Sequence, residues 1–359
     1  HYLFFLSIFY LCSVIFTESI DIDVSLNEST NVLGYMTPWN KDHAIRQLFH
    51  RNPKKRLSLS YLSPVWFQIR PGPRLTGTHN IDRSLLSRLR KEHPHMKIVP
   101  RFQFDGFSSS DVQSFFHPSP SSLSFEQSVD MLANLISQYI STFQFDGLVL
   151  EWGYWNLHYI EDEMVRLVSV VSSRVRAAGA STFIIVAPAM NDVFSDKHFS
   201  LLEPFVDFVS LMSYDFSLPH HESSRPRPSP NAPYEWVSYE CQRLCRLSKH
   251  ACSKVMMGLN FYGYAYVQNS LDREAITGSQ LSKFKNLKRR WHSQFREHYF
   301  FYTDSSHVVH TIFYPSLESL KHRLSLAQHL GQSIAIWEIG QGLSSFNSLF
   351  SSSSSSSSS

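Results

Sequence analysis

The stretch QFDGLVLEWGYW, residues 144–155, places two acids at a spacing that could do chemistry. Asp146 and Glu151 flank a short apolar run, and aromatic residues crowd the end of that run. Because side chains alternate along a strand, Val149, Glu151 and Gly153 should share one side of it. Glu151 is therefore a candidate catalytic or ligand-binding carboxylate, or else a core carboxylate that contacts no ligand.

The elements that must position these acids follow one pattern along the chain. Eight short apolar runs alternate with longer amphipathic segments, and no glycine-rich phosphate loop follows the first run. This alternation predicts an α/β fold, a (β/α)8 TIM barrel, in preference to a doubly wound sheet. The predicted strands are 32–36, 57–67, 96–104, 145–150, 183–187, 206–214, 255–261 and 333–337. The clearest predicted helices are 125–143, 161–178 and 317–330.

Two segments interrupt the alternation of strands and helices. Residues 108–124 are rich in serine and proline and are interpreted as a connection after the third strand. Residues 264–313 carry pairs of aromatic residues and form an insertion between strands 7 and 8. We expect this insertion to build a hairpin lobe over the barrel mouth.

The ends of the chain differ in composition from the predicted barrel, which spans residues 31–350. Residues 1–20 hold an apolar run that is typical of a signal peptide, and residues 21–30 form an N-terminal segment with a glycosylation sequon at Asn27. These features predict a protein that is secreted or lies in the lysosomal lumen. Residues 351–359 are all serine and are expected to be disordered.

Charge and composition exclude several classes of protein. The 33 basic and 30 acidic residues give a net charge of +3, too balanced to predict a nucleic-acid partner. No later apolar run is long enough to predict a membrane span. The tract His220-His221-Glu222 lies in a Pro/Ser-rich loop and is interpreted as solvated, so neither a metal nor a cofactor is expected.

Three cysteines remain after the predicted signal peptide. Cys241 and Cys245 lie four residues apart on a predicted helix, and Cys252 follows closely. The spacing favours one disulfide with one buried thiol, or three buried thiols, over a metal site. The sequence leaves those two alternatives open.

Several predicted strand ends resemble motifs of glycoside hydrolase family 18, the chitinase family. The run FDGLVLE, residues 145–151, is similar to the family's fourth strand, whose pattern is Asp-Gly-x-Asp-x-Asp-x-Glu. The runs VDFVSLMSYD, GLNFYG and IWE resemble its sixth, seventh and eighth strands. The resemblance extends over residues 32–350 and implies a chitinase-like barrel.

The family's chemistry needs the last two acids of that pattern. Its Glu protonates the glycosidic oxygen, and the preceding Asp orients the substrate's acetamido group, whose carbonyl is the nucleophile. Aligning Asp146 with the first Asp puts Val149 and Glu151 at the next two acids and Gly153 at the catalytic Glu. The Cα atom of Glu151 then lies roughly 6–7 Å deeper in the barrel than the Cα atom at the general-acid position, two residues further along the strand.

The resemblance therefore implies a chitinase-like protein that binds saccharides without cleaving them, with no catalytic residue beyond Glu151 as a fallback. Glu151 is expected to pair with neighbours such as Tyr214 or Asp215, and Glu338 is expected to be structural. The expected ligand is an oligosaccharide or a glycolipid. The predicted saccharide-binding residues are Tyr35, Trp39, Glu151, Trp152, Trp155, Met212, Tyr214, Asp215, Tyr262 and Trp337.

Two other functions remain possible on the sequence. A family 18 hydrolase with a displaced acid would cleave N-acetylglucosamine-containing glycans through Glu151. A partner protein would dock to a scavenger-type receptor, and its binding would not depend on the aromatic residues of the barrel mouth.

Overall fold

A computed structural model describes residues 26, 30–153, 155, 157–217, 228–268, 270, 272–281, 284 and 288–350. The predicted signal peptide, nearly all of the N-terminal segment with Asn27, the tract 220–222 and the polyserine tail lie outside the described residues.

The strands form two sheets. In chain order they are β1 Val32–Met36, β2 Tyr61–Pro64, β3 Phe67–Arg70, β4 Arg74–Thr76, β5 Lys97–Ile98, β6 Arg101–Phe104, β7 Gly147–Glu151, β8 Thr182–Pro188, β9 Phe208–Met212, β10 Val255–Asn260, β11 Gly263–Val267, β12 Arg273–Ile276, β13 Arg290–His292, β14 Glu297–Thr303, β15 Val309–Phe313 and β16 Ser333–Trp337. The first sheet has the order β4-β3-β6-β7-β8-β9-β10-β16-β1-β2-β5, and the second has the order β12-β11-β15-β14-β13.

The first sheet curls into a TIM-barrel-like ring with eight strand positions, which confirms the predicted fold. The second predicted strand, 57–67, contains β2 and only the first residue of β3, and the third is divided into β5 and β6 at Pro100. A proline cannot donate to a strand ladder, so the division at Pro100 is expected. Backbone bonds from Asp146 N to Ile98 O and from Val149 N to Pro100 O, both 3.0 Å, join residues 98–100 to the start of β7 and to the residue before it.

Ten helices pack around the ring or between its strands in the described residues: α1 Lys41–Leu48, α2 Arg83–Glu92, α3 Ser109–Phe116, α4 Phe125–Phe143, α5 Glu161–Ala177, α6 Asp196–Leu202, α7 Tyr234–Cys245, α8 Lys249–Ser253, α9 Gly278–Leu281 and α10 Leu317–Leu330. Residues 108–124 were predicted as a connection only, and they contain α3. Ser108 and Asp111 form a capping box that begins this helix, and Ser124 begins α4 in the same way.

Two apolar layers hold the barrel together. Inside the ring, small and β-branched side chains such as Val99, Val149 and Ile184 pack with Tyr35 and Tyr61. A larger layer fills the space between the strands and the surrounding helices. The strands are buried on both faces, which explains why they read as continuous apolar runs.

The insertion between the seventh and eighth barrel strands, β10 and β16, forms the antiparallel sheet of β11–β15, as predicted. Buried charges tie this lobe to the barrel. Glu297 of β14 lies 3.4 Å from Arg323 of α10, whose guanidinium also donates to the carbonyl of Arg296 at 3.0 Å. Such a buried pair must stay complete, because a lone buried charge is costly.

The cysteines follow one of the two predicted alternatives. Cys245 and Cys252 form a disulfide, and Cys241 is a buried free thiol. None of the helices in the described part of the chain is long and apolar enough to cross a membrane.

Candidate functional site

The floor of the barrel mouth holds an ion pair between two neighbouring strands. Glu151 ends β7, and Arg101 begins β6. The Arg101 Nη2 atom lies 2.5 Å from Glu151 Oε1, and both side chains are less than one-tenth exposed. The Arg101 guanidinium also lies 5.0 Å from the centre of the Trp337 ring. Arg101 therefore occupies the space between the acid and the aromatic floor.

The prediction for the partner of Glu151 is wrong. Neither Tyr214 nor Asp215 donates a hydrogen bond to Glu151, and Arg101 is the partner instead. Strand pairing explains this, since Arg101 lies beside Val149 and Gln103 lies beside Glu151 in the β6–β7 ladder. A long guanidinium can reach the carboxylate two positions along the neighbouring strand.

The position of the family's catalytic acid lies outside the strand. The strand β7 ends at Glu151, and Gly153 follows in a turn with φ +69°. Val149 and Glu151 share the interior side as predicted, but the alternation does not extend to Gly153. Nothing lies within 4 Å of the position that a Cβ atom would take at Gly153. A glycine favours this left-handed backbone, which other residues seldom adopt.

Two of the predicted stacking residues are packed into the structure. Trp152 is 1% exposed and belongs to the outer layer between strands and helices. Its predicted role in stacking is wrong, because a fully buried ring has no free face. Trp155 is half-buried against phenylalanines, with its ring centre 5.0 Å from that of Phe104 and 5.6 Å from that of Phe116.

Three of the predicted tyrosines line the mouth as buried side chains. Tyr35 donates to Ser210 Oγ at 2.9 Å, and its ring centre lies 5.2 Å from that of Trp337. Burial raises the pKa of Tyr35, and burial also raises the pKa values of Tyr214 and Tyr262. These phenols therefore remain neutral donors at physiological pH.

The remaining predicted aromatic and apolar contacts are more accessible. Trp337 is partly exposed beside the ion pair, Met212 is partly exposed at the end of β9, and Trp39 is 72% exposed just after β1. Both Trp39 and Trp337 lie at or just beyond the carboxyl ends of barrel strands, the face on which TIM barrels bind ligands.

The wall of the mouth holds a second acid in a different setting. Tyr262 and Tyr264 both donate hydrogen bonds to Asp215 Oδ1, the latter at 2.7 Å. The backbone N–H of Asp215 donates to Asn231 Oδ1. Burial raises the pKa of Asp215, and the two phenols and the charge of Arg273 oppose that rise. Within the described residues, no group donates a hydrogen bond to Asp215 Oδ2.

A third acid, Glu338, is inaccessible. Its carboxylate accepts from Asn40 Nδ2 at 2.6 Å and from the N–H of Gly340 at 3.0 Å, and burial raises its pKa to about 7. These contacts tie the loop after β1 to the loop after β16. Asn40 is next to Trp39, so Glu338 helps to fix the loop that carries this exposed ring.

Sequence reasoning missed two residues of the site. Arg101 is a charge in the middle of an apolar run, and a buried charge requires a partner, so its sequence context carried a signal. Tyr264 was noticed only as an aromatic residue at a strand end. Among the described residues, no group of three His, Cys, Asp or Glu side chains is placed to hold a metal ion.

The ring of parallel strands and the acids at their carboxyl ends define a barrel of the glycosidase type. Residues 31–342 match the family described as glycosyl hydrolases family 18. The chain belongs to this family.

Solved structures with the same fold include several chitinases. The chitinase from Chromobacterium violaceum ATCC 12472 is 16% identical, with a TM-score of 0.71, and the match covers 89% of this chain and 98% of that one. A class V chitinase from Pseudomonas fluorescens Pf-5 is 15% identical, with a TM-score of 0.71 and coverage of 90% and 99%. The spore cortex-lytic enzyme SleL of Bacillus megaterium QM B1551 is 15% identical, with a TM-score of 0.70 and coverage of 89% and 73%. At these identities the likeness establishes the fold.

Proposed function

We propose that this protein binds N-acetylglucosamine-containing saccharides at the barrel mouth and does not hydrolyse them. One observation carries the proposal. The position of the family's general acid is Gly153 in a turn, and the nearest acid along the strand, Glu151, is engaged by Arg101. A general acid must reach the glycosidic oxygen with a proton to donate. Neither residue meets that requirement.

The rest of the mouth supports saccharide binding. Trp337 offers a partly exposed aromatic floor, and Asp215 Oδ2 is an acceptor that is not engaged by any described residue. Sugars present apolar faces to aromatic rings and hydroxyl or amide groups to such acceptors. The exposed ring of Trp39, just after β1, offers a further stacking surface at the same face of the barrel.

A resemblance to one protein within the family also supports this proposal. Eight segments in order resemble chitinase domain-containing protein 1, also called the stabilin-1-interacting chitinase-like protein. They are VLGYMTPWN, SPVWFQ, IVPRFQF, FDGLVLEWG, PNAPYEW, GLNFYG, VVHTIFYPSLESL and IWEIGQGL. The resemblance adds bacterial glycolipids as candidate ligands and a scavenger-type receptor as a candidate partner.

We also propose a secreted or lysosomal location. The disulfide between Cys245 and Cys252 supports it, because disulfides persist mainly in oxidising compartments.

The test compares two aromatic substitutions by isothermal titration calorimetry with the N-acetylglucosamine tetramer. Trp337→Ala removes the floor, and we expect affinity to fall by about thirtyfold, as for other central aromatic anchors. Tyr239→Ala removes an exposed ring on α7, which lies outside the mouth, and serves as the matched control. Equal affinity for the two variants would reject binding at the mouth. Binding to a receptor that neither change affects would favour the docking function instead.

A further inference from the structure

A second concave surface lies along α1, and its lining residues differ from those of the barrel mouth. It is a groove of about 500 Å³ between this helix with the turn that follows it and the segment after β16. None of the predicted saccharide-binding residues lines the groove. The groove therefore needs an explanation of its own.

One side of the groove is basic. His43, Arg46, His50 and Arg51 line it, and no Asp or Glu is among the lining residues. His43 and Arg46 lie three residues apart on α1 and so share a face of the helix. Arg46 and Arg51 are exposed, and their side chains make no hydrogen bond or ion pair with any other described residue. Two guanidinium groups are thus available to a ligand.

The other side of the groove is formed by two closely packed backbone segments. Gly278 and Gly342 line it, and a Cβ atom at Gly278 would lie 2.9 Å from the Gly342 carbonyl oxygen. The Gly278 N–H donates to Gln341 O at 2.7 Å. The lining residue Gln47 is fixed by Asn347, whose Nδ2 donates to Gln47 Oε1 at 2.8 Å. The groove is therefore formed before any ligand binds.

Helix electrostatics explain only part of this arrangement. Basic residues near the end of a helix interact favourably with its dipole, an effect limited to the last turn. His43 lies in the first turn of α1, and Arg51 lies beyond its end. The dipole gives no reason for all four basic side chains to line the same concavity.

We propose that this groove binds clustered sulfate or phosphate groups, such as those of an anionic saccharide. Arginine is suited to this role, because its planar guanidinium forms paired hydrogen bonds with the oxygens of such groups. The balanced charge of the whole chain, +3, argues for a local site rather than general attraction to anions. This inference does not depend on saccharide binding at the barrel mouth.

The test uses the full chain and two double variants that each remove two positive charges. Arg46→Gln/Arg51→Gln alters the groove. Lys91→Gln/Lys249→Gln alters exposed lysines on α2 and α8 and is the matched control. Calorimetry measures the affinity for inorganic tripolyphosphate, for a sulfated hexasaccharide and for its unsulfated form. An unchanged circular dichroism spectrum and an unchanged midpoint of urea unfolding show that the variants are folded.

We expect the wild type and the lysine variant to bind at least one of the two anions, and to bind it more weakly as salt is added. The arginine variant should bind that anion about a hundredfold more weakly, or about tenfold per arginine. Binding of the sulfated saccharide alone would identify a glycan ligand, and binding of tripolyphosphate alone would identify a phosphate ligand. No binding of either anion by the wild type, or equal losses in the two variants, would overturn the proposal.

Discussion

The floor and the wall of the barrel mouth each hold an acid, but the two acids have different surroundings. On the floor, Glu151 faces a buried guanidinium, so its charge is matched within the protein. On the wall, Asp215 accepts from the neutral phenols of Tyr262 and Tyr264, and its second oxygen stays unengaged within the described residues. The comparison shows that the charge of its hydrogen-bond donors determines whether a buried carboxylate is already neutralised within the protein. The floor acid is paired directly with a cation, whereas the wall acid accepts hydrogen bonds from two phenols and the charge of Arg273 lowers its pKa.

The largest expected effect comes from breaking the ion pair of the floor. Glu151→Gln leaves the buried charge of Arg101 without a carboxylate, and we expect the free energy of unfolding to fall by about 3–5 kcal/mol. Arg101→Met/Glu151→Gln removes the unmatched charge as well and should recover much of that loss. Equilibrium urea unfolding measures both variants.

A surface pair supplies the control for this prediction. Glu126 and Arg166 form an exposed ion pair at 3.0 Å, and Glu126→Gln should change stability little. A loss from Glu151→Gln no larger than that from Glu126→Gln would contradict the structural role of the floor acid. A double variant no more stable than Glu151→Gln would contradict it too.

The third acid gives the next effect, which depends on pH. Glu338 has a pKa raised from 4.5 to about 7, so protonation stabilises the folded state more than the unfolded state. The protonated Glu338 carboxyl contributes fully to the free energy of unfolding below pH 4.5. This contribution falls by about 2–3 kcal/mol as the pH rises to 7. Urea unfolding across this range should show the loss in the wild type and a flatter profile in Glu338→Gln. Parallel profiles would show that Glu338 is not the group responsible.

A smaller effect is expected from removing one of the phenols that support Asp215 on the wall of the mouth. Tyr264→Phe removes one of the two phenols that donate to Asp215, and we expect stability and saccharide affinity each to fall by about 1–2 kcal/mol. Tyr302→Phe is the matched control, since the Tyr302 hydroxyl makes no hydrogen bond among the described residues. Unfolding and calorimetry of the two variants decide the matter. Identical behaviour would mean that the phenol of Tyr264 does not support the wall acid.

The smallest expected effect concerns Gly153, where we expect a restored carboxylate to produce no hydrolytic activity. Gly153→Glu returns a carboxylate to the acid position, but the left-handed turn keeps that position out of the β7 ladder. We therefore expect no cleavage of the N-acetylglucosamine tetramer by mass spectrometry. Gly153→Ala reports the backbone cost alone. Product formed by Gly153→Glu would show that the floor lacks only an acid and is otherwise arranged for hydrolysis.

Much of the fold could be predicted from the sequence, because barrel strands are buried on both faces and appear as apolar runs. The run 333–337 and the helix 125–143 have the observed bounds. The lobe was predicted from its aromatic pairs. The division of the second and third strands was not predicted, since it depends on hydrogen-bond register across the sheet.

The site was harder to predict, since it depends on which side chains meet across strands. The pairing of Arg101 with Glu151 joins residues fifty positions apart and follows from the register of β6 and β7. The burial of Trp152, in contrast, could have been inferred. The alternation that turns Glu151 into the barrel turns the next residue outward, into the layer beneath the helices.

One measurement tests the central claim most directly. The purified protein is incubated for a day with N-acetylglucosamine oligomers, and mass spectrometry follows retained ligand and shortened products together. We predict retained oligomer without any shortened product, since Glu151 is engaged by Arg101 and Gly153 carries no acid. Shortened product that disappears in Glu151→Gln would contradict the account, because it would make the floor acid a catalytic group.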